Sequence, residues 1–488
     1  MNDSSGTLRP QVALCHFSLL WPLQLARLAD EGVDERHWEI LETLPGQPWR
    51  RIDDEFTADP GLFQERHYRE FVSFLPYVRR FLYGEGRSSR QRDGDEAGES
   101  PIHVFRRRDV DRVRLTLAPD ANPVDLEVVH LDLYFFHDLD LVVLNLEVRG
   151  RNLPLDTVHD ILFRFGRAYP SGWAEDGGGL HNVFRSEWLD RAGQVLAVSD
   201  TANRQKYLEY ACAHRSPAIS EHWAWLLLPL VQAHSDQEGL LRFQLIEYHR
   251  MPLMAYVAVD DPRRLSREDW IRTGMGSVLH PDEPLPWREP FVAEFESRYC
   301  QDRYWQDSDS GPNTRFICTG NALTVVGDAN SPFFLDTEKG VLSQFRHQYF
   351  LIFLIAHLQR AALLVFSENL VDTVNDLDIR DDVSVRRFKR RIRAGFEAFL
   401  RFTHRYWFHE LSERAHLQAV WQLSSQHLKN DALYDEVRDE IREMSTYLDS
   451  DSQRRQSNTV VRLTVITILG LIATVTTGYF GMNIIPFG

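Results

Sequence analysis

The chain has 488 residues, 43% hydrophobic and 26% charged, with a mean hydropathy of -0.36. Those proportions exclude a disordered chain and a protein made mostly of membrane spans, and the length suits about three domains. The 71 acidic residues against 55 basic ones leave a formal charge of -16, which excludes the concentrated basic surface a nucleic-acid partner needs and favours cations.

Cys15, Cys212, Cys300 and Cys318 are scattered with no CxxC pair, so neither a disulfide framework nor a cysteine zinc site is expected and the compartment reads as reducing. Met1 to Gln11 is polar and carries no secretory pattern, which places the start of the chain in the cytoplasm.

Residues 1–100 read as a peripheral helical segment, with Phe71, Phe74, Leu75, Val78, Phe81 and Leu82 at helical spacing. Residues 84–100 hold no large apolar side chain and read as a mobile loop. Residues 101–335 read as a cytoplasmic α/β domain. Val124 to Phe136 and Leu141 to Val148 form two strand-like runs around the turn 137–140. A helix over 152–165 follows, with Leu155, Val158, Ile161, Leu162 and Phe165 on one face, and another is expected around 207–233. Further strands are expected at 240–248, 253–259 and 316–326.

Residues 336–457 read as long helices and a stalk. Tyr349 to Phe366 is 18 residues of mostly apolar sequence, but His357, Gln359 and Arg360 at its middle favour a buried helix over a membrane span. Phe388, Ile392, Phe396, Phe399 and Tyr406 make one apolar stripe, and Leu433, Val437, Ile441, Met444 and Leu448 another, as in two helices packed together. His347 and His357, ten residues apart, read as core or capping side chains.

From Leu463 to Gly488 no residue is charged, so residues 458–483 read as a transmembrane helix, long enough for a hydrocarbon core of about 30 Å. Arg454, Arg455 and Arg462 precede it and no basic residue follows, which orients the large N-terminal part to the cytoplasm. Thr464, Thr467, Thr474 and Gly478 recur on one face with Val460 and Leu471. Such a face serves either close helix packing or the lining of a pore.

The span ends in Tyr479-Phe480-Gly481-Met482-Asn483, and here the sequence resembles the CorA-type divalent-cation (magnesium) transporters, whose first span closes on GlyMetAsn. The resemblance covers about 40 residues directly and the domain order loosely. It implies an α+β (α/β/α-type) cytoplasmic domain, long stalk helices, and a C-terminal transmembrane helix around the ion path of a homopentamer in the cell membrane. By that mapping Gly481, Met482 and Asn483 form the selectivity filter. Gly478, Thr474, Leu471, Thr467 and Thr464 line the pore, and Leu463 and Val460 form an inner constriction. Regulatory divalent sites would fall on acids near the inner mouth: Glu440, Glu443, Asp449 and Asp451. The implied substrate is Mg²⁺, with Zn²⁺, Co²⁺ and Ni²⁺ open, because the start of the outer loop at 484–488 lacks an acid. The family's second span is not within the sequence, which stops at Gly488.

No enzyme is expected: there is no GxxxxGK, GxGxxG after a strand, HExxH or GxSxG, and no covalently held cofactor. The competing class is a membrane-anchored cytoplasmic binding or scaffold module whose span only oligomerises it.

Overall fold

A computed structural model describes residues 10–26, 36–57, 59, 61–84, 100–175, 177–246, 249–276, 284–306, 308, 312–378, 381–444 and 446. The chain divides into two compact units. The first comprises 1–365 with 401–431, the second Phe366–Leu400 with the residues from Ala432 onward.

The first unit is built on one mixed sheet of fourteen strands. In chain order these are β1 Gln11–Leu25, β2 Trp49–Ile52, β3 Ile102–Arg107, β4 Arg112–Thr116, β5 Val124–Phe136, β6 Leu141–Pro154 and β7 Arg185–Leu189. There follow β8 Val195–Val198, β9 Val231–Gln232, β10 Arg242–Leu245, β11 Leu253–Val259, β12 Cys300–Gln301, β13 Arg315–Cys318 and β14 Ala322–Asp328. The main path runs β12-β13-β14-β11-β1-β6-β5-β4-β7-β8, with β3 pairing β5 and carrying β2. Among the described residues only β11 with β14 and β10 with β9 run parallel.

The expected hairpin is present as β5 and β6, antiparallel around the turn at 137–140. The expectation of a peripheral helical segment for 1–100 is corrected: β1 is a central strand, paired with β6 along nearly its whole length and with β11 and β10 on the other edge. It carries a proline without losing a ladder bond, because Pro22 falls in the gap between the β11 pairing, which ends at Leu19, and the β10 pairing, which starts at Leu23. The single helix expected at 207–233 is two, Arg204–His214 and Glu221–Leu227, with Pro217 between them.

Side chains alternate across the sheet, so odd and even positions of one strand meet different layers. On one face Phe17, Leu19 and Trp21 of β1, Leu131, Leu133 and Phe135 of β5, and Val142, Leu144 and Leu146 join a single apolar core with Val158 and Ile161 of helix Leu155–Arg164 and Trp223 of helix Glu221–Leu227. The other face is covered by the segment from Phe334 to the helix Phe350–Asn375: Tyr256 stacks on Phe334 with ring centroids 4.4 Å apart, and Tyr134 meets Phe350 at 5.9 Å. Helices therefore lie on both faces of the sheet.

Among the described residues one helix, Val341–Asn375, is long and apolar enough to cross a membrane, and 78% of its most apolar stretch is buried in the protein. Its three mid-helix polar groups are all satisfied inside the first unit. His357 hydrogen-bonds the Gly320 carbonyl at 3.2 Å, Gln359 donates to the Tyr406 carbonyl at 2.9 Å and Arg360 to the Leu428 carbonyl at 2.8 Å. A protein-facing helix explains those residues without invoking lipid.

The second unit is helical where described. Phe399 of helix Asp382–Arg405 packs edge-on against Phe366 and stacks on Tyr434 of the helix at 430–444, both at 5.5 Å. Phe388, Ile392, Val437 and Ile441 are buried as the two stripes require, whereas Phe396 is exposed.

Candidate functional site

Among the even positions that β1 and β5 turn away from the apolar core, His16, Ser18, His130 and Asp132 are polar, beside apolar Leu20 and Phe136. His16 and Ser18 of β1 lie on the same face as Asn145 and Glu147 of β6, because the register sets Ser18 opposite Glu147. His130 opposes Glu147, Asp132 opposes Asn145, and Arg106 of β3 opposes Asp132. Four adjacent strands thus place a row of ionisable groups at the centre of the sheet, and the covering segments add Glu55, Glu70, Arg346 and His347.

Glu147 is the hub. Its carboxylate pairs with His16 Nε2, accepts from Arg346 Nε at 2.6 Å, and lies 3.2 Å from His130 Nδ1. Arg106 forks onto Asp132, donating from Nε at 2.7 Å and Nη2 at 3.0 Å, and reaches Glu55 at 3.0 Å. Glu70, on helix Glu65–Phe71, receives the Tyr83 hydroxyl at 2.9 Å and pairs with His347 Nδ1 at 2.9 Å. Arg346 and His347 sit on a single π-helical turn, Phe345–Tyr349, just ahead of the long helix. A π turn inserts one residue into the helical ladder and so re-aims neighbouring side chains.

The electrostatics are those of charges removed from water. Burial raises the Glu147 carboxyl, but the charges and hydrogen bonds of His16 and Arg346 outweigh it and hold the group well below the usual carboxylate range. Burial pushes Asp132 up to about 7; the Arg106 fork opposes this, while Glu55 and Glu147 add to it. Burial takes His130 down to about 4, with Arg106 adding to the effect and Glu147 opposing it. A neutral His130 has one choice at Nδ1: it donates a proton to Glu147 or accepts from Arg106, 3.3 Å away. Glu55 is raised by burial yet ends below its ordinary value through Arg106, Arg66, His130 and His347.

The groups enclose a cavity of about 30 Å³ lined by Ser18, Glu55, His130, Asn145, Glu147 and Arg346 among others, room for one or two water molecules. Asn145 Oδ1 is buried without a partner at this cavity, and a water is the species of matching size. An organic substrate is too large for it. Among the described residues no group of three or more His, Cys, Asp or Glu could hold a metal ion. What the arrangement can do is hold protons and clamp the segment bearing Arg346 and His347 to the sheet.

A second polar set resembles a hydrolytic triad only in composition. Ser220 donates to Asp200 at 3.0 Å and lies 2.9 Å from His222 Nδ1. The serine thus sits between acid and histidine, whereas nucleophilic activation needs the histidine in the middle. Burial also takes His222 down to about 3.

Of the residues singled out in the sequence, Val460, Leu463, Thr464, Thr467, Leu471, Thr474, Gly478, Gly481, Met482, Asn483, Asp449 and Asp451 lie outside the described residues. Glu440 and Glu443 are on the helix at 430–444, the first half-buried and the second exposed. Burial and the charges of Glu436 and Glu443 push Glu440 up. His357 is a core histidine as expected, but His347 is not: it is part of the buried network. The signal for that network was the placing of His130, Asp132, Asn145 and Glu147 at alternate positions inside the otherwise apolar stretches 128–136 and 141–148. Comparison with protein families, with characterised proteins and with solved structures finds no match for this chain.

Proposed function

We propose that the chain is the cytoplasmic part and first span of a CorA-like divalent-cation transporter, acting as a homopentamer in the cell membrane with Mg²⁺ as its first substrate. The observation that carries this is Gly481-Met482-Asn483 at the end of a charge-free segment that begins at Leu463. A mixed α+β unit and long helices ahead of that segment agree with it.

The chemistry follows from the ion. Mg²⁺ sheds its water reluctantly and is best met by neutral oxygens that hydrogen-bond its hydration shell. A ring of Asn483 amides at the outer mouth does this without stripping the ion. Thr474 and Thr467 continue a path of hydroxyl oxygens, and Val460 with Leu463 form a narrow apolar ring that closes by dewetting. Zn²⁺, Co²⁺ and Ni²⁺ compete where the outer loop offers no acid to favour the harder ion. In this reading the buried Glu147 network is a structural clasp within the cytoplasmic part.

The test is Asn483→Ala in the full chain reconstituted in liposomes. Uptake of Mg²⁺ should be abolished while the oligomer persists; unchanged uptake would remove Asn483 from the ion path and the reading with it.

A further inference from the structure

The second unit carries two opposite charged faces that the chain does not join. Helix Asp382–Arg405 turns Phe388, Ile392 and Phe399 inward, so its outward face reads Arg386, Arg390 and Arg393, at spacings of four and three, with exposed Glu397 one turn further on. All three are exposed and make no ion pair among the described residues. Arg391, off that face, is held by Asp376 at 2.5 Å. The helix at 430–444 buries Val437 and Ile441 and presents Glu436, Glu440 and Glu443, again at spacings of four and three.

Asp435 and Asp439 on that helix are paired with Arg438, at 2.7 and 3.1 Å, but the three glutamates have no cation among the described residues. Burial first, then the charges of Glu436 and Glu443, push Glu440 up, and the second part agrees with an uncompensated negative stripe. The two helices meet through Phe399 and Tyr434, and among the described residues no ion pair joins them. Apolar side chains are exposed in the same unit: Val371, Val374, Val383, Phe396 and Leu400 are each more than a third accessible. Exposed apolar groups beside unpaired charges are the composition of a surface that meets another protein.

We infer that the Arg386, Arg390, Arg393 stripe docks on the Glu436, Glu440, Glu443 stripe of a second copy of this chain. The two stripes have the same spacing and each covers about 10 Å of helix, so three guanidiniums meet three carboxylates in one register. A basic face repels its own image, which excludes a twofold contact of that face with itself. A head-to-tail contact joins Arg stripe to Glu stripe once per pair of copies, and such contacts make rings when the rotation closes. The overall charge of -16 makes the Arg stripe an island that fixes which surfaces of two copies face each other. This inference rests on the proposed homo-oligomer for the second copy, and on nothing about transport.

The experiment compares four forms of the full-length chain in detergent micelles by native mass spectrometry and sedimentation. They are the unaltered chain, Arg386→Glu/Arg390→Glu/Arg393→Glu, Glu436→Lys/Glu440→Lys/Glu443→Lys, and all six changes together. Each triple reversal should weaken assembly by about tenfold or more, since like charges then oppose one another, and the six-fold form should recover it. Raising the salt to 1 M should weaken the unaltered assembly as well. Recovery in the six-fold form also shows that the triple variants had not merely failed to fold.

A monomeric unaltered chain, triple variants that assemble normally, or a six-fold form that stays dissociated would each overturn the inference. So would an Arg variant that keeps its oligomer and loses only retention of anionic phospholipid, which would make a lipid headgroup the occupant. Assembly is read without flux, so charge-dependent assembly with no transport would sink the transport reading alone.

Discussion

Glu147→Gln removes the charge at the hub of the buried network while keeping its shape. In the native chain that carboxylate is fully enclosed and answers His16, Arg346 and His130. The glutamine leaves Arg346 without its ionic partner and puts an amide where two donors converge. Breaking one side of a buried pair costs about 3–5 kcal/mol, because the remaining charge stays buried. In a unit of this size that corresponds to an apparent melting shift on the order of 4–6 °C. The sign with pH is fixed by the depressed Glu147 carboxyl: its stabilisation is present above the ordinary carboxylate value of about 4.5 and is lost as pH falls through the lower folded value. Thermal unfolding of the full chain and of the variant, followed by tryptophan fluorescence from pH 3 to 8, should show a gap that is full at neutral pH and closes in acid. A gap under about 0.5 kcal/mol at pH 7, or one that does not change with pH, would refute the view of the cluster as a charge clasp.

Asp132→Asn should act in the opposite pH direction. With its carboxyl pushed up to about 7, the native state holds a proton there that the unfolded chain has lost, so stability falls as pH rises from about 4 to 7; the asparagine variant should lose that slope, which melting curves at pH 5 and 8 would register. Gly327→Ala should destabilise by about 1–3 kcal/mol, since a Cβ there would stand 2.3 Å from the Phe334 ring carbon Cε2; denaturant titration measures it, and a neutral result would mean the ring can move away. Phe105→Ala should cost about 3–5 kcal/mol, as the ring is wholly buried and set edge-on to Phe135 at 5.6 Å, with the same titration as the check.

The parts of the fold written in local pattern were legible. The β5 and β6 hairpin, the helix after it and the strand β11 each carry their own periodicity or apolar run, whereas the single strand expected at 316–326 is two, β13 and β14, paired antiparallel around the turn at 319–321. The strand β1 was not legible, because it is covered on both faces and so reads as an almost continuous buried run containing Trp21-Pro22 rather than as an alternation. Its place in the sheet is set by partners at the far end of the unit.

The buried network was hidden for a related reason. Its ion pairs join residues 131 and 199 positions apart, His16 and Arg346 to Glu147, and sequence spacing says nothing about such pairs. What the sequence did hold was the anomaly of charged side chains inside apolar strands, which burial turns into either a cost or a matched set. The mid-helix polar groups of 349–366 were a signal of the same kind, and there the buried-helix reading agrees with the structure because each group has its own carbonyl partner.

Divalent-cation flux reads out the proposed transport itself. The unaltered full chain, reconstituted as an inserted oligomer in liposomes, should admit Mg²⁺ down its gradient when Mg²⁺, Zn²⁺, Co²⁺ and Ni²⁺ are offered one at a time, and lose that flux with Asn483→Ala. An intact, inserted oligomer that passes none of the four ions would contradict the account and leave an anchored cytoplasmic module in its place.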